Sequence, residues 1–567
     1  MSLEHYLQER ENRYDPEVQL LRARFHGPGY HSTTPPGTWV HPTRESAEYA
    51  LALLLSGTPE RIERGWAVLR RVLSLQDTDP DSRTYGVWPW HLEEPLEKMS
   101  PPDLNWADFI GATLATILIR AGDRLSSELM AQTRAALGHA CRAIKRRNVG
   151  PAYTNIAIMG AGVTLAGGEL LDDPALLRYG RDRLRRIREF TAYHGTFTEY
   201  NSPTYTLVAL RELERILALV QDAQARDDAQ ALLEVAWEVI AEHFHPSTGQ
   251  WVGPHSRSYA DWLDAGKARQ IAERTGVPIL IRQPDGSARS TEELPEDGAH
   301  FVPPMRCPKR LVERFRSLPS DPYFLRQRLL RAEEDPELDF GDPEVHRLLA
   351  EAKGLYGFTW FTQEAALGSV NRGVFWTQQR PLIGYWRTPE DLAVCLRLRF
   401  LHDGRDFASA TYQGVQRNNR VLCTVGLRLG GGDWHLSLDR PADNRFEAED
   451  FRLRWQLTGR GVSIHAVDER RYLLQAGGWK AVVHIGAGRF GNDPIRWETT
   501  EAEGEIRLDG VCYSGPRRTF DFTRLLDSQI VTGVELIPVS ESPSEEPIRI
   551  PAAGNGASAI EWCGLRL

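Results

Sequence analysis

Residues 203–221, PTYTLVALRELERILALVQ, place apolar side chains at Leu207, Leu210, Leu213, Ile216 and Leu217. Intervals of three and four residues bring these side chains to one face of an α-helix. The same periodicity extends toward both ends of the first half of the chain, interrupted by short Gly, Pro and Asp breaks. It predicts helices over residues 43–54, 59–75, 106–121, 126–146, 155–166, 174–193, 203–221, 228–243 and 259–275.

Two of these predicted helices carry a clear start signal. Asp173 precedes Pro174, and Ser202 precedes Pro203. A short polar side chain caps the first free amides of a helix, and proline fits its first position. We therefore expect helical hairpins packed side by side in the first half of the chain.

The apolar period changes after about Tyr356. Residues 393–400, AVCLRLRF, alternate in polarity, and 420–429, 451–457, 478–485 and 530–536 behave likewise, separated by turns such as 403–404 and 430–433. Alternation predicts antiparallel strands. The predicted fold class is thus α+β, with a helical domain over 1–345, whose last part, 283–345, is a connecting segment, and a β-domain over 346–567.

Composition excludes several classes of protein. The 567 residues hold 41% hydrophobic and 26% charged side chains, as in globular proteins, and 68 Lys and Arg against 77 Asp and Glu give a net charge of −9. That balance argues against a nucleic-acid partner. No long apolar stretch or amino-terminal apolar region occurs, so we expect no membrane partner and a cytoplasmic location. The oligomeric state is left open, and a homo-oligomer is compatible with the sequence.

The six cysteines form no CxxC pair, and the histidines of the predicted β-domain are scattered through its strands. This spacing favours buried thiols and predicts neither a disulfide framework nor a metal centre.

Tryptophan and short polar side chains cluster before the helix predicted at residue 106. An indole stacks on the apolar face of a sugar ring while polar neighbours bind its hydroxyls. The alternative is core packing at a helix start. The candidate sugar-binding residues here are Trp88, Trp90, His91, Asp103 and Asn105.

A denser polar cluster, residues 194–205 (HGTFTEYNSPTY), leads into the next helix, and residues 253–259 (GPHSRSY) form a similar loop. These two loops, the tryptophan segment and the start of the helix at Asn155 all lie where a loop leads into a helix, which suggests that the four segments line one cleft. Asn155 begins another helix, where an asparagine is most often a cap. The candidates from these segments are Asn155, His194, Glu199, Tyr200, Asn201, Tyr205, His255, Arg257 and Tyr259.

Phe197, Glu199, Ser202-Pro203 and Tyr205 resemble the DGSF-x-E and SPxYH segment of uronic-acid polysaccharide lyases of the heparinase II/III and alginate lyase kind. The order Asn155, Tyr205, Arg257 is also similar to that of chondroitin AC-type lyases. His194 stands where the family has aspartate, Thr206 where many members have histidine, and Ile156 where some alginate lyases have histidine. The resemblance implies an N-terminal (α/α) toroid, an incomplete barrel of helical hairpins, followed by an antiparallel β-sandwich.

The resemblance also implies β-elimination from a uronate, with an anionic oligo- or polysaccharide as substrate and no cofactor. Asn155 would bind the uronate carboxylate, and Tyr205 would be base, acid or both, with Arg257 favouring its phenolate. His194, preferred over His255, would share proton transfer, and Glu199 would orient His194 or Arg257. Tyr200 and Tyr259 are second choices for the acid.

Two other functions fit the same residues. Glycoside hydrolysis would use a pair of carboxylates drawn from Asp103, Asp108 and Glu199. A glycan-binding protein without catalysis would explain the tryptophans and leave the cluster from His194 to Tyr205 without a task.

Overall fold

Helices fill the first half of the chain and strands the second in the computed structural model, which describes residues 3–27, 31–294, 301–330, 354–550 and 559–567. The α-helices of the described residues are α1 Leu3–Glu11, α2 Thr43–Ser56, α3 Pro59–Leu73, α4 Trp106–Arg120, α5 Ser127–Arg147, α6 Thr154–Leu170, α7 Pro174–His194, α8 Tyr205–Leu219, α9 Ala223–His243, α10 Ala265–Thr275 and α11 Lys309–Val312.

Most predicted helices are found within a few residues of their expected bounds, and the difference is largest at two starts. The helix predicted from Tyr259 begins at Ala265, with Asp264 as its cap. The helix predicted from Asp228 begins earlier, at Ala223. The helix predicted from Pro203 begins at Tyr205, whose amide donates to Ser202 Oγ at 2.9 Å. Helix α1 is not predicted from the sequence.

Helices α2 and α3 pack against each other, as do α4 and α5, which confirms the predicted helical hairpins. Gly65 of α3 allows a close approach, since a Cβ there would lie 3.2 to 3.3 Å from Leu53 and Leu54 of α2. The core of this region is built from buried aliphatic side chains and Trp88.

The described strands are β1 Tyr14–Asp15, β2 Leu20–Leu21, β3 Ala23–Arg24, β4 Trp39–Val40, β5 Phe244–His245, β6 Gln250–Trp251, β7 Leu280–Arg282, β8 Ala288–Ser290, β9 Tyr323–Leu330, β10 Leu355–Phe361, β11 Ala365–Val370, β12 Arg372–Val374, β13 Leu382–Trp386, β14 Val394–His402, β15 Arg405–Asp406, β16 Ala410–Arg417, β17 Arg420–Leu427, β18 Arg445–Thr458, β19 Val462–Asp468, β20 Arg471–Ala476, β21 Trp479–Phe490, β22 Asp493–Pro494, β23 Arg496–Ala502, β24 Glu505–Asp521, β25 Gln529–Pro538, β26 Glu561–Trp562 and β27 Leu565–Arg566.

Two large antiparallel sheets form the C-terminal half. The first has the order β23-β24-β18-β14-β13-β11-β10-β9, with β15 beside β14, and the second has the order β12-β16-β17-β25-β21-β20-β19, with β22 beside β21. The sheets pack face to face: Trp360 of the first meets Trp479 of the second with ring centroids 6.1 Å apart, and Ser369 Oγ donates to Gln416 at 2.7 Å. The predicted α+β class, with helices first and an antiparallel β-sandwich after them, is confirmed.

The chain divides into two compact units. Unit 1 is Met1–Tyr193, Val208–Ala236 and Leu294–Arg306, and unit 2 is His194–Leu207, Trp237–Glu293 and Cys307–Leu567. Unit 2 therefore holds both polar loops, at 194–205 and 253–259, together with the β-sandwich. The predicted domain boundary between residues 345 and 346 lies outside the described residues.

Candidate functional site

The two polar loops of unit 2 are joined by hydrogen bonds. Ser202 Oγ donates to the carbonyl of Arg257 at 2.6 Å, and Ser256 Oγ donates to the carbonyl of Tyr200 at 2.6 Å. His255 Nδ1 is 2.8 Å from the carbonyl of Asn201, to which it donates. Two of the four segments that the sequence predicts to line one cleft thus run side by side.

Asn201 is the central link between them. Its Nδ2 donates to the carbonyls of Val252 and Pro254 at 2.9 Å each, and its Oδ1 accepts from Trp251 Nε1 at 2.5 Å. Its φ of 42° lies in the left-handed region, which asparagine tolerates better than most residues. Asn201 is buried and bound to the protein, so it holds the loops together and is left out of the proposed glycan site.

The segment between β12 and β13 supports the second loop from the side of the sandwich. Ser258 N donates to the carbonyl of Gln378 at 2.7 Å, and the backbones of His255 and Arg380 exchange hydrogen bonds at 2.9 and 3.1 Å. Asp261 accepts from Arg380 Nε and Arg397 Nη1 at 2.9 Å each. Residues 255–261 are therefore fixed by strands that come more than a hundred residues later.

Arg257 lies at the centre of the resulting cluster. Its Nη1 donates to Glu199 Oε1 at 2.7 Å, its Nη2 to Tyr205 Oη at 2.9 Å, and its Nε to Gln378 Oε1 at 2.9 Å. The guanidinium carbon also lies 3.9 Å from the centroid of the Tyr205 ring. Such a three-sided arrangement fixes the guanidinium plane. The predicted proximity of Glu199, Tyr205 and Arg257 is present in the structure.

Tyr259 completes the cluster on the solvent side. Its hydroxyl lies 2.6 Å from that of Tyr205, and 56% of its surface is exposed. Tyr205 Oη already accepts from Arg257, so the phenol pair links the guanidinium to the surface. This chain of groups can pass a proton between solvent and Tyr205.

The protonation state of Tyr205 differs from the expected one. Burial raises the pKa of Tyr205 well above its usual value, and Arg257 lowers it by less than burial raises it. The resting side chain is therefore a neutral phenol, which can donate a proton. The expectation that Arg257 favours a phenolate at Tyr205 is not met.

The two candidate histidines are both buried in unit 2. His194 ends α7 and has no exposed surface. His255 donates through Nδ1 to Asn201, and burial lowers its pKa to about 3, so it is neutral with its lone pair on Nε2. Tyr200 is also buried, and burial raises the pKa of its hydroxyl.

The remaining candidates belong to unit 1. Asn155 lies in the first turn of α6 and is fully buried. Trp88 has no exposed surface, packs in the hydrophobic core and donates from Nε1 to the carbonyl of Val72 at 2.9 Å. Trp88 therefore packs in the core, which is the alternative to sugar binding that the sequence leaves open, and it is not proposed to bind a glycan.

Trp90 is half-buried and stacks at 31° on Trp106, with ring centroids 5.2 Å apart. Its Nε1 donates to Asp103 Oδ2 at 3.2 Å. His91 is buried, with Nε2 2.9 Å from Thr34 Oγ1, and burial lowers its pKa. Of the candidate aromatic residues in this segment, Trp90 keeps surface that a sugar can reach.

Asn105 is held between two side chains. Its Oδ1 accepts from Arg147 Nη1 at 2.7 Å, and its Nδ2 donates to Tyr153 Oη at 3.2 Å. Nearby Asp108 is 2% exposed, and burial raises the pKa of its carboxyl group to about 7. Arg147 Nη1 lies 4.0 Å from Asp108 Oδ2. Asp108 thus exists as a neutral acid over part of the physiological range.

Gln378, Trp376, Arg380 and Asp261 were not among the predicted residues. The signal that could have found the first three is the segment 374–381, VFWTQQRP, which mixes tryptophan, proline and polar side chains as the 86–91 segment does. Trp376 lies 5.4 Å from the Arg257 guanidinium. Gln378 and Trp376 thus contact Arg257, whereas Arg380 and Asp261 hold the loop that carries it.

Within the described residues, no group of three or more His, Cys, Asp or Glu side chains has the arrangement of a metal site. Over the same ranges, no helix has the length and apolar character that crossing a bilayer requires.

Comparison with known proteins gives one family model that matches part of the chain and a set of similar solved structures. A domain of unknown function, DUF8769, matches residues 6–268. No curated protein matches the chain. A crystal structure of heparinase III is 10% identical, with a TM-score of 0.40, over 93% of this chain and 82% of that one. A second heparinase III, with methylated lysines, is 9% identical, with a TM-score of 0.38, over 98% and 88%.

Proposed function

We propose that this protein is a lyase that cleaves a uronic-acid-containing oligo- or polysaccharide by β-elimination. The observation that carries the proposal is the hydrogen-bonded pair of phenols, Tyr205 and Tyr259, of which Tyr205 also accepts from Arg257 at 2.9 Å. A neutral phenol held by a cation is suited to protonate a leaving alkoxide, and the exposed phenol beside it can restore the proton.

Elimination across C4 and C5 of a uronate removes the C5 proton and breaks the bond from C4 to the leaving oxygen. Tyr205 donates its proton to that oxygen, because its raised pKa keeps it protonated in the resting enzyme. The phenolate left on Tyr205 is stabilised by Arg257, which Glu199 and Gln378 already orient. Glu199 and Gln378 act as positioning residues for Arg257.

The base and the carboxylate-binding group are assigned from the sequence resemblance. His194 is the proposed base, with His255 the alternative, and Asn155 is the proposed ligand of the uronate carboxylate. Trp90, Asp103 and Asn105 of unit 1 are proposed to bind sugar. The proposed chemistry uses only side chains of this chain, with an anionic glycan as its partner.

Turnover of alginate, glucuronan and glycosaminoglycan fragments tests the proposal, with ultraviolet absorbance of the C4=C5 product and reducing ends followed in parallel. We expect absorbance and reducing ends to rise together. Tyr205→Phe is expected to lower kcat by about 10² to 10⁴, the usual contribution of a proton-transfer group. Tyr472→Phe, a half-buried tyrosine of β20, is the matched control and is expected to retain wild-type turnover.

Glycoside hydrolysis is the second candidate, because Asp108 has the raised pKa that the acid of a carboxylate pair needs. Reducing ends without absorbance would favour it. If Asp103→Asn abolished turnover while Tyr205→Phe stayed near wild type, the lyase proposal would be wrong.

A further inference from the structure

An exposed tryptophan with two arginines lies on the short hairpin of strands β3 and β4 in unit 1. Trp39 is 44% exposed, an unusual position for a large aromatic side chain. The guanidinium carbons of Arg22 and Arg24 lie 4.5 and 4.3 Å from the centroid of its ring. We call these three residues the Trp39 patch.

Strand pairing explains why the three side chains meet. Arg24 pairs directly with Trp39, and side chains of directly paired residues lie on the same face. Arg22 precedes Arg24 by two residues and therefore points to that face as well. Arg24 Nη1 donates to the carbonyl of Gly37 at 2.5 Å, and the backbone of Arg22 is held by Arg13 through bonds of 2.7 and 3.1 Å. The patch is thus built by the backbone before any ligand binds.

The charge of the patch is not neutralised inside the described part of the chain. No carboxylate there lies within ion-pair distance of Arg22 or Arg24, although the protein as a whole carries a net charge of −9. A guanidinium stacked on an indole can still donate hydrogen bonds in its own plane, and Arg24 uses one of its nitrogens, Nη1, for the carbonyl of Gly37. The other N–H groups of the two arginines can donate to a carboxylate or sulfate. The indole, 44% exposed, adds apolar surface for a sugar ring beside these N–H groups.

We propose that the Trp39 patch is an accessory binding site for an acidic polysaccharide, built from residues other than those proposed to act in cleavage. Each repeating unit of such a polymer combines an anionic group with the apolar face of a pyranose. The patch presents the complement of both within one hairpin. It would hold a long chain to the enzyme without taking part in bond cleavage.

A nucleic acid also offers anions and flat rings, but it needs an extended basic track along its backbone. The patch has two arginines on a net-acidic protein, which suits one or two acidic sugars better than a phosphate backbone. Single-stranded poly(U) therefore serves as the contrasting ligand.

The test measures binding of long alginate chains in the Tyr205→Phe background, so that the ligand is not consumed. Neutral dextran and poly(U) are compared at the same salt concentrations. We expect Arg22→Gln/Arg24→Gln to weaken alginate binding at least tenfold at low salt and to flatten its salt dependence. Trp39→Ala is expected to weaken binding with the salt dependence unchanged.

The control is Arg70→Gln/Arg83→Gln, which removes the same charge from two exposed arginines of the same unit and is expected to bind within twofold of the parent. Equal affinities of the two double variants would overturn the proposal, as would tighter binding of poly(U) than of alginate. Circular dichroism of each variant confirms folding. All variants share one background and are compared by affinity, and the length of the alginate is checked after each measurement. The result can therefore fail or succeed separately from the lyase proposal.

Discussion

Tyr205 shows how a cation and burial compete at a single hydroxyl. Arg257 donates to it at 2.9 Å, which favours the phenolate, yet burial removes the water that an anion needs. Glu199, bound to the same guanidinium, adds a negative charge that also raises the pKa of Tyr205. The balance keeps the proton on the oxygen until a leaving group takes it.

The pH dependence of kcat/KM should reflect this balance. Because the pKa of Tyr205 is raised, the phenol stays protonated at every pH below its ordinary value of about 10. As the acid, it then causes no loss of rate between pH 7 and 10. The measurement is a pH profile of the initial rate of absorbance increase with saturating and with dilute substrate.

Glu199→Gln provides the comparison for that profile. Removing the negative charge lowers the pKa of Tyr205, so the alkaline loss of activity should move to lower pH than in the wild type. A wild-type rate that instead rises about tenfold per pH unit from 7 to 10 would make Tyr205 the base.

At the scale of elements, local signals were enough for most helices and strands. The periodic apolar residues of 203–221 and the cap at Asp173 depend on neighbours a few positions away, and both predictions agree with the structure. Residues 259–264 are the exception. Asp261 binds Arg380 and Arg397, which lie 119 and 136 residues later, and these contacts replace a helical turn.

The candidate site likewise contains residues that the local sequence predicts and residues whose role depends on distant contacts. Glu199, Tyr205 and Arg257 were found because they carry reactive groups on loops before helices, and they meet in the structure. Gln378 was missed because glutamine has no distinctive chemistry, and its partner Arg257 is 121 residues away. Asn201 was predicted to bind substrate, but the pairing of the two loops uses its whole amide.

Replacing Asn201 should separate the two loops. Asn201→Ala leaves three buried backbone and indole groups without partners and forces alanine into the left-handed region. We expect a loss of about 2 to 4 kcal/mol in the free energy of unfolding, with a larger loss of activity. Urea unfolding followed by tryptophan fluorescence measures the first, and the absorbance assay the second.

Asn418→Ala is the matched control, because Asn418 has a φ of 53° in an exposed turn. It carries the same backbone strain without the buried hydrogen bonds, so it should cost about 1 kcal/mol and leave activity unchanged. Equal losses for the two variants would mean that Asn201 contributes only through its backbone conformation.

At the scale of the whole molecule, three buried histidines of unit 2 make the free energy of unfolding depend on pH. Burial lowers the pKa of His243 and His245 to about 4 and that of His255 to about 3. Each is neutral when folded, and each takes up a proton near pH 6.5 once unfolded. Above pH 6.5 these histidines do not reduce the free energy of unfolding. As the pH falls from 6.5 toward 4, they reduce it progressively.

Each of these histidines is expected to lower the free energy of unfolding by about 2 kcal/mol when the pH falls from 7 to 5. The measurement is the urea midpoint at the two pH values. His245→Gln should shrink the difference by about that amount, whereas His465→Gln, at an exposed position of β19, should leave it unchanged. An undiminished difference in His245→Gln would contradict the assignment.

The contact between Arg257 and Gln378 has a consequence for synthesis on the ribosome. At about 5 to 20 residues per second, the acceptor for Arg257 Nε is translated several seconds after the arginine. During that interval the nascent chain already contains Glu199, Tyr205 and Arg257, but it lacks the glutamine that orients the guanidinium. The cluster can therefore reach its final geometry only late in translation, after the first strands of the sandwich have been made.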